Sequence, residues 1–307
     1  MSVLALRGVS HRFGDVEVLR SLDLVIEGPG VFGFLGVNGS GKSTTMRLVN
    51  GFLKLQAGTI EVLGQPAGPR VDRARVGYLP QAPAFHPWMK AREWMAFTGA
   101  VCGLSKAETR ARGDALLERL GLADAAERRI GGFSGGMKQR LGLAQALLPD
   151  PALLLLDEPV SALDPVGRKE LLELIQDLGR RVTVFMSTHI LADVERVCDR
   201  VAILHQGRVL VNEPTSDILA RYVYPVLEMK VDGPTEPLVA ALRARPWVQE
   251  VEQEAGGALR IAVTELGVAQ RAVAGIVADN DVGLVSLHAR APDLEAVFLA
   301  IIGAGDA

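Results

Sequence analysis

One eight-residue segment restricts this chain more than any other: Gly36-Val37-Asn38-Gly39-Ser40-Gly41-Lys42-Ser43. It satisfies the pattern G-x-x-x-x-G-K-[ST] at every fixed position. An apolar run, Val31-Phe32-Gly33-Phe34-Leu35, precedes it, and a helix-like stretch, Thr44-Thr45-Met46-Arg47-Leu48-Val49, follows. Strand, glycine-rich turn and helix in succession is the setting in which such a loop holds phosphate. Glycine lets backbone N–H groups converge on phosphate oxygens without a Cβ in the way. The helix N-terminus adds a dipole worth ~0.3–1 kcal/mol per exposed charge. Lys42 is placed to reach β- and γ-phosphates, and Ser43 to ligate Mg²⁺. The pattern predicts an α/β fold that binds a nucleoside triphosphate.

The rest of the composition narrows the class. Of 307 residues, 49% are hydrophobic and 22% charged, which fits a folded protein of one large or two smaller domains. No apolar run approaches the length of a membrane span. Met1-Ser2-Val3-Leu4-Ala5-Leu6-Arg7 lacks signal-peptide anatomy, so a cytoplasmic protein is expected. Cys102 and Cys198 are far apart and lack metal-type spacing, and are read as reduced thiols without a role. The net charge of −3 is unevenly spread, with 12 acidic and 6 basic residues from Val223 onward against 24 and 27 before it. Neither part is a polyanion-binding surface, which argues against nucleic acid and against direct adhesion to anionic lipid.

Residues 3–35 read as short strands, with Val16–Leu19 and Leu22–Ile26 separate. Further strands are expected at 59–63, 76–79, 153–156 and 182–186. Between about 85 and 150 the pattern is helical, and Ser105-Lys106-Ala107-Glu108 fits a capping box for a helix to about Leu120. Asp164-Pro165 starts another helix, aspartate as N-cap and proline at the first helical position. Beyond Tyr224 the order becomes strand 226–232, helix 236–244, strands 248–254 and 258–264, helix 267–279 and strand 283–290. That βαββαβ order is the ferredoxin-like layout. A last helix is expected over Leu294-Glu295-Ala296-Val297-Phe298-Leu299. The division is thus 1–222 and 223–307.

Strand ends carry the candidate chemistry. Leu153–Leu156 runs into Asp157-Glu158, and delivering two carboxylates from a buried strand is costly unless they are used. Ligands in such sheets sit at the carboxyl ends of strands. Asp157 is expected to hold Mg²⁺ through water and Glu158 to polarise an attacking water. His189, in Ser187-Thr188-His189, follows another strand and points to the same crevice as a γ-phosphate or water contact. Gln81, also after a strand, is expected to touch Mg²⁺ or its water. Ser134-Gly135-Gly136 opens a helix and makes a second anion-binding N-terminus. A monomer with one triphosphate site has no use for it.

In this order the segments resemble the ATP-binding cassette (ABC) ATPases over residues 1 to about 220. Walker A is Gly36 to Ser43, with Thr44 joining the nucleotide contacts. Gln81 is the Q-loop residue, Ser134-Gly135-Gly136 the signature, and Leu153 to Asp157 Walker B. Ser161-Ala162-Leu163-Asp164 is the D-loop and His189 the switch histidine. Phe13 stands where an aromatic ring stacks on adenine. The resemblance implies a P-loop cassette with an antiparallel β portion and a helical subdomain. It implies ATP and Mg²⁺ as ligands, Glu158 as general base and His189 on the γ-phosphate. Two cassettes would close head-to-tail, each signature completing the other's site, with Asp164 coupling them. The helical insertion and the loop after Gln81 would contact a membrane-spanning permease, placing the chain peripherally on the cytoplasmic face of the membrane. Val37 stands for the usual proline, and Phe133 and Met137 for the commoner leucine and glutamine of the signature. Ser-Gly-Gly-Met-Lys-Gln-Arg and the Leu294–Leu299 segment are similar to bacterial exporter subunits for drugs, sodium or polysaccharides.

Two other readings stand beside a transport ATPase. A soluble ABC ATPase working on DNA would carry a long coiled coil, but only about 90 residues separate Lys42 from Ser134, with no heptads. Ribosome-type relatives usually hold two cassettes in one chain. A slow regulatory ATP switch is disfavoured by Glu158. The tail is read as a dimer brace or regulatory unit, with Glu250, Glu252, Glu254 and His288 on a solvated face.

Overall fold

A computed structural model describes residues 2–68, 71, 73–222, 225–253, 258–290 and 298. The chain forms two compact units, Met1–Thr215 and Ser216–Ala307.

The first unit opens with β1 (Ser2–Phe13) and β2 (Val16–Glu27), then β3 (Gly30–Leu35), which leads through the glycine-rich loop into α1 (Lys42–Val49). β4 (Ala57–Val62), β5 (Gln65–Pro66) and β6 (Val76–Leu79) follow. Residues 80–150 hold α2 (Ala91–Val101), α3 (Lys106–Arg119) and α4 (Gly135–Leu147). Then come β7 (Leu153–Asp157), α5 (Pro165–Gly179), β8 (Thr183–Thr188), α6 (Leu191–Val197), β9 (Arg200–His205) and β10 (Arg208–Pro214), and α7 (Thr215–Tyr222) starts at the last residue of this unit and otherwise belongs to the second.

These strands make two sheets. One, of order β2-β1-β4-β5, is antiparallel. The other, of order β10-β9-β3-β8-β7-β6, is parallel except for the β9–β10 hairpin. Leu153–Leu156 are fully buried, as an unbroken leucine run in a central parallel strand must be. Truncating one such leucine to alanine costs ~2–5 kcal/mol. The parallel register matters for function, because it brings the ends of β3, β7 and β8 to one edge, with Asp157 level with Ser187.

The two short strands expected before Gly28 are one. β2 runs through Ser21, whose φ of 50 bends the strand, and its N–H is taken by Ser10 Oγ at 2.8 Å. Pairing along β1 holds the two halves together. The expected helix caps are present. Ser105 Oγ accepts from Glu108 N while Glu108 reaches back to Ser105 N. Asp164 Oδ1 accepts from Gly167 N at 3.2 Å, with Pro165 at the first helical position. Both cysteines are free thiols.

The second unit contains β11 (Val226–Asp232), α8 (Glu236–Arg243), β12 (Val248–Gln253), β13 (Ala258–Val263), α9 (Leu266–Asp279) and β14 (Gly283–Arg290). Its sheet, of order β12-β13-β11-β14, is antiparallel. Leu227, Met229, Val231, Leu259, Ile261 and Val263 alternate onto one face and pack with α8 and α9 side chains such as Leu238 and Val273. Glu250, Glu252 and His288 are exposed. Glu254 and the helix expected at 294–299, apart from Phe298, lie outside the described residues.

Candidate nucleotide site

The loop after β3 is shaped by what glycine omits. A Cβ on Gly36 would lie 2.5 Å from Leu204 O and 2.6 Å from Ser40 Oγ. Gly41, the residue before α1, sits at φ +113, where a Cβ would lie 2.6 Å from Leu19 Cδ2. Both positions exclude a side chain, and the second also excludes an L-residue backbone. Val37 is exposed and leaves the loop's course intact; Ser40 N donates to its carbonyl at 3.2 Å. Asn38 and Gly39 form the exposed tip.

Lys42 is buried, and its Nζ donates to Gly36 O at 2.7 Å and Val37 O at 3.0 Å. Burial lowers the pKa of its ammonium, against the raising pull of Glu158 and Asp157. Ser43 Oγ donates to Asp157 Oδ1 at 3.2 Å, which ties the loop to the end of β7. Thr44 lies in the first turn of α1.

Glu158 follows β7 and is held from two sides. Gln81, just past β6, donates from Nε2 to Glu158 Oε2 at 3.1 Å. His189, just past β8, places Nδ1 3.1 Å from Glu158 Oε1. The Glu158 backbone lies in the left-handed region at φ 47. For a non-glycine residue this costs ~1–3 kcal/mol and persists only where surroundings impose it. Here they do: Glu158 N donates to the main-chain oxygen of Ser187 at 3.2 Å and to its Oγ at 3.1 Å.

Lys42, Ser43, Gln81, Asp157, Glu158 and His189 thus meet at one edge of the parallel sheet. Phe13, Ser134, Gly135, Gly136 and Asp164 stand apart, and among the described residues no hydrogen bond joins them to this group. Phe13 ends β1 with its ring exposed, edge-on to His11 at 4.7 Å between centroids. Ser134 caps α4 by accepting from Met137 N at 3.2 Å. Gly135 and Gly136 open that helix against Ala162 and Leu163, where a Cβ on Gly136 would come within 2.9 Å of Leu163 Cδ2. Asp164 is engaged as the cap of α5.

Sequence reading missed two further sites. Ser187 is fully buried, and its hydroxyl donates to Asp157 Oδ1 at 2.6 Å. Its signal was only its place two residues before His189. The other is the pair of Arg168 on α5 and Asp193 on α6, with Nε and Nη2 at 2.9 and 2.6 Å from Oδ1. Burial raises the Asp193 carboxyl above its usual range, opposed by Arg168.

The donor set fits a triphosphate. Ser40 Oγ is buried without a hydrogen-bond partner, and Lys42 spends its donors on loop carbonyls. Ser43 Oγ and Asp157 are hard oxygen ligands of the kind Mg²⁺ takes beside substrate phosphates. Among the described residues no cluster of three or more His, Cys, Asp or Glu could hold a metal by itself.

A phosphate loop feeding a helix, at the edge of a parallel sheet whose neighbouring strands end in Asp157-Glu158 and His189, defines a phosphate-loop nucleoside triphosphatase. The family model described as ABC transporter matches residues 19–161. The uncharacterized ABC transporter ATP-binding protein YxlF of Bacillus subtilis (strain 168) is 40% identical over 249 residues, 81% of this chain and 82% of its own length. The bacitracin transport ATP-binding protein BcrA of Bacillus licheniformis is 31% identical across 99% of this chain and 98% of its own. The Nod factor export ATP-binding protein I of Rhizobium sp. (strain N33) is 36% identical across 97% and 96%. A solved ATP-binding subunit of an ABC transporter superposes with a TM-score of 0.65 at 31% identity, covering 70% of this chain and 91% of that one. The chain belongs to the ATP-binding proteins of the ABC transporter family. It is an ATP-binding, ATP-hydrolysing transporter subunit. No helix among the described residues is long and apolar enough to cross a membrane.

Proposed function

We propose that this chain drives export through a separate membrane-spanning permease, bound peripherally at the cytoplasmic face, by closing as a dimer on two ATP molecules. One observation carries the hydrolytic part of the reading: Gln81 and His189, from two separate strand ends, converge on the carboxylate of Glu158 at a third, beside the phosphate loop. The name of the relative in bacitracin transport supports a transport role, and that of the relative in Nod factor export supports the direction.

In this reading Lys42 turns from the carbonyls of Gly36 and Val37 to the β- and γ-phosphates, and the loop N–H groups and Ser40 cradle them. Ser43, Asp157 through water and Gln81 would hold Mg²⁺, which would supply charge neutralisation at the phosphates. Glu158 accepts a proton from water as the water oxygen bonds to the γ-phosphorus. The bond to the β–γ bridging oxygen breaks and its electron pair leaves with ADP. His189 fixes the carboxylate and the γ-phosphate. Phe13 stacks on adenine, an interaction worth ~1–3 kcal/mol for any base. Ser134, Gly135 and Gly136 of a second copy close over the γ-phosphate, and Asp164 couples the two sites.

We place the ATPase domain at 1–222 and read 223–307 as a ferredoxin-like accessory domain, on its βαββαβ order and its sheet order of β12-β13-β11-β14. The test is reconstitution of the chain with its permease in vesicles. Mg²⁺-dependent ATP hydrolysis that accompanies vectorial substrate movement is the expected result. A chain that binds ATP but does not turn it over, alone or with a permease, overturns the reading.

A further inference from the structure

Ser187 stands in the segment that carries His189 but has no role in any motif read from the sequence, yet its side chain touches both carboxylate residues at the end of β7. Its hydroxyl has one proton and gives it to Asp157 Oδ1 at 2.6 Å. Its oxygen accepts from Glu158 N at 3.1 Å. The serine is fully buried, so no water competes for either bond. Parallel pairing of β7 with β8 sets Asp157 and Ser187 level, which makes the first contact a cross-strand one.

Two consequences follow from these bonds. Asp157 Oδ1 accepts from Ser187 and from Ser43, whose bond is 3.2 Å. Neither bond uses Oδ2, so one oxygen of the carboxylate is committed to these two protein donors and the other is not. The second concerns Glu158, whose φ of 47 needs a local restraint. Both bonds to its N–H come from Ser187, one from the main-chain oxygen and one from the hydroxyl. Removing the hydroxyl keeps the first and loses the second.

We propose that Ser187 is a positioning residue for the ATPase site, orienting Asp157 toward the cation and holding the turn that aims Glu158. This deepens the hydrolytic reading above and rests on it. Outer hydrogen-bond partners of metal-binding groups typically shift metal affinity or activity by about 10–100-fold when removed.

The experiment compares the native chain with Ser187→Ala and Ser187→Thr, at full length. Mn²⁺ serves as the probe cation, its binding followed by electron paramagnetic resonance with ATP present, in a Glu158→Gln background that suppresses turnover. ATP binding without divalent cation is measured alongside. For Ser187→Ala we expect Mn²⁺ affinity to fall about 10-fold or more, cation-free ATP affinity to stay near native, and kcat to drop with little change in KM for ATP. Ser187→Thr, which keeps the hydroxyl, should recover most of the Mn²⁺ affinity. If Ser187→Ala does not fold, Ser187→Cys, close in size and a weak donor, carries the same measurements. Native Mn²⁺ affinity and kcat without the hydroxyl overturn the proposal, as does equal impairment in both variants, which assigns the effect to packing. Failure of the wider reading has a different signature: Glu158→Gln alone would hydrolyse ATP at the native rate.

Discussion

Glu158 Oε1 lies 3.1 Å from His189 Nδ1. An ionised carboxylate can only accept, so Nδ1 donates in this contact. The other carboxylate oxygen is taken by Gln81. The proposed base is therefore already clasped by the segments after β6 and β8. Each carboxylate oxygen offers two lone-pair directions, so a water can be received beside His189 without breaking its contact. Changes at either segment thus reach the base directly.

Glu158→Gln preserves size and removes the proton acceptor. Hydrolysis should fall by about 10²–10⁴-fold, while ATP binding persists and an ATP-bound dimer accumulates. Phosphate release assays give the first quantity and size-exclusion chromatography with ATP the second. Native turnover would exclude Glu158 as the base.

Gly41→Ala tests the phosphate loop's geometry. The substitution places a Cβ 2.6 Å from Leu19 Cδ2 at a backbone φ of +113. Strain of ~1–3 kcal/mol is expected, and relieving it by shifting the loop moves the N–H groups off the phosphates. ATP affinity should fall at least about 10-fold, since ~1.4 kcal/mol of lost contact suffices. Gly132→Ala, with nothing within 4 Å of its Cβ and no positive φ, is the control and should bind ATP normally. Equal affinities for the two variants would show that the loop tolerates a side chain at Gly41.

Much of this arrangement was legible from local pattern alone, because it depends on short-range rules. The capping residues Ser105, Ser134 and Asp164 act on N–H groups three residues ahead, and the leucine run of β7 announces its own burial. What escaped depends on pairing across the chain. Ser187 meets Asp157 only through the register of β7 and β8. The β9–β10 hairpin turns at Gln206-Gly207, both at positive φ, without the asparagine or aspartate that usually marks such a turn. α6, from Leu191 to Val197, is too short for helical periodicity to stand out. The left-handed backbone of Glu158 has no sequence signal, because glutamate does not favour it.

A composite site can be tested by mixing. Lys42→Ala and Ser134→Ala should each lose most ATPase activity as pure populations. In a mixed dimer both lesions fall in one site, and the other site pairs a native phosphate loop with a native signature. Mixing should therefore restore activity above the average of the two pure variants, in a protein-concentration-dependent way. Strict averaging would count against completion of the site by a second copy.

The Arg168–Asp193 pair joins α5, which Asp164 caps, to α6, which begins just after His189. The Asp193 side chain is 2% exposed and that of Arg168 32%. Removing the arginine leaves a buried carboxylate, whereas removing the acid leaves a guanidinium that water still reaches. Arg168→Ala should therefore destabilise more than Asp193→Asn, by about 2–3 kcal/mol, less than the ~3–5 of a wholly buried pair. Burial already raises the Asp193 carboxyl above its usual range, and losing Arg168 raises it further. The unfolded carboxyl titrates at about 3.9. Because the folded form holds its proton more tightly, stability falls as pH rises through the folded pKa and is regained as pH drops toward the unfolded one. The penalty of Arg168→Ala should thus be larger at neutral pH than in mild acid, and adding Asp193→Asn to it should remove most of that pH dependence. Urea denaturation of the three variants across this range checks both claims, and a penalty that grows on acidification would reverse the sign argued here.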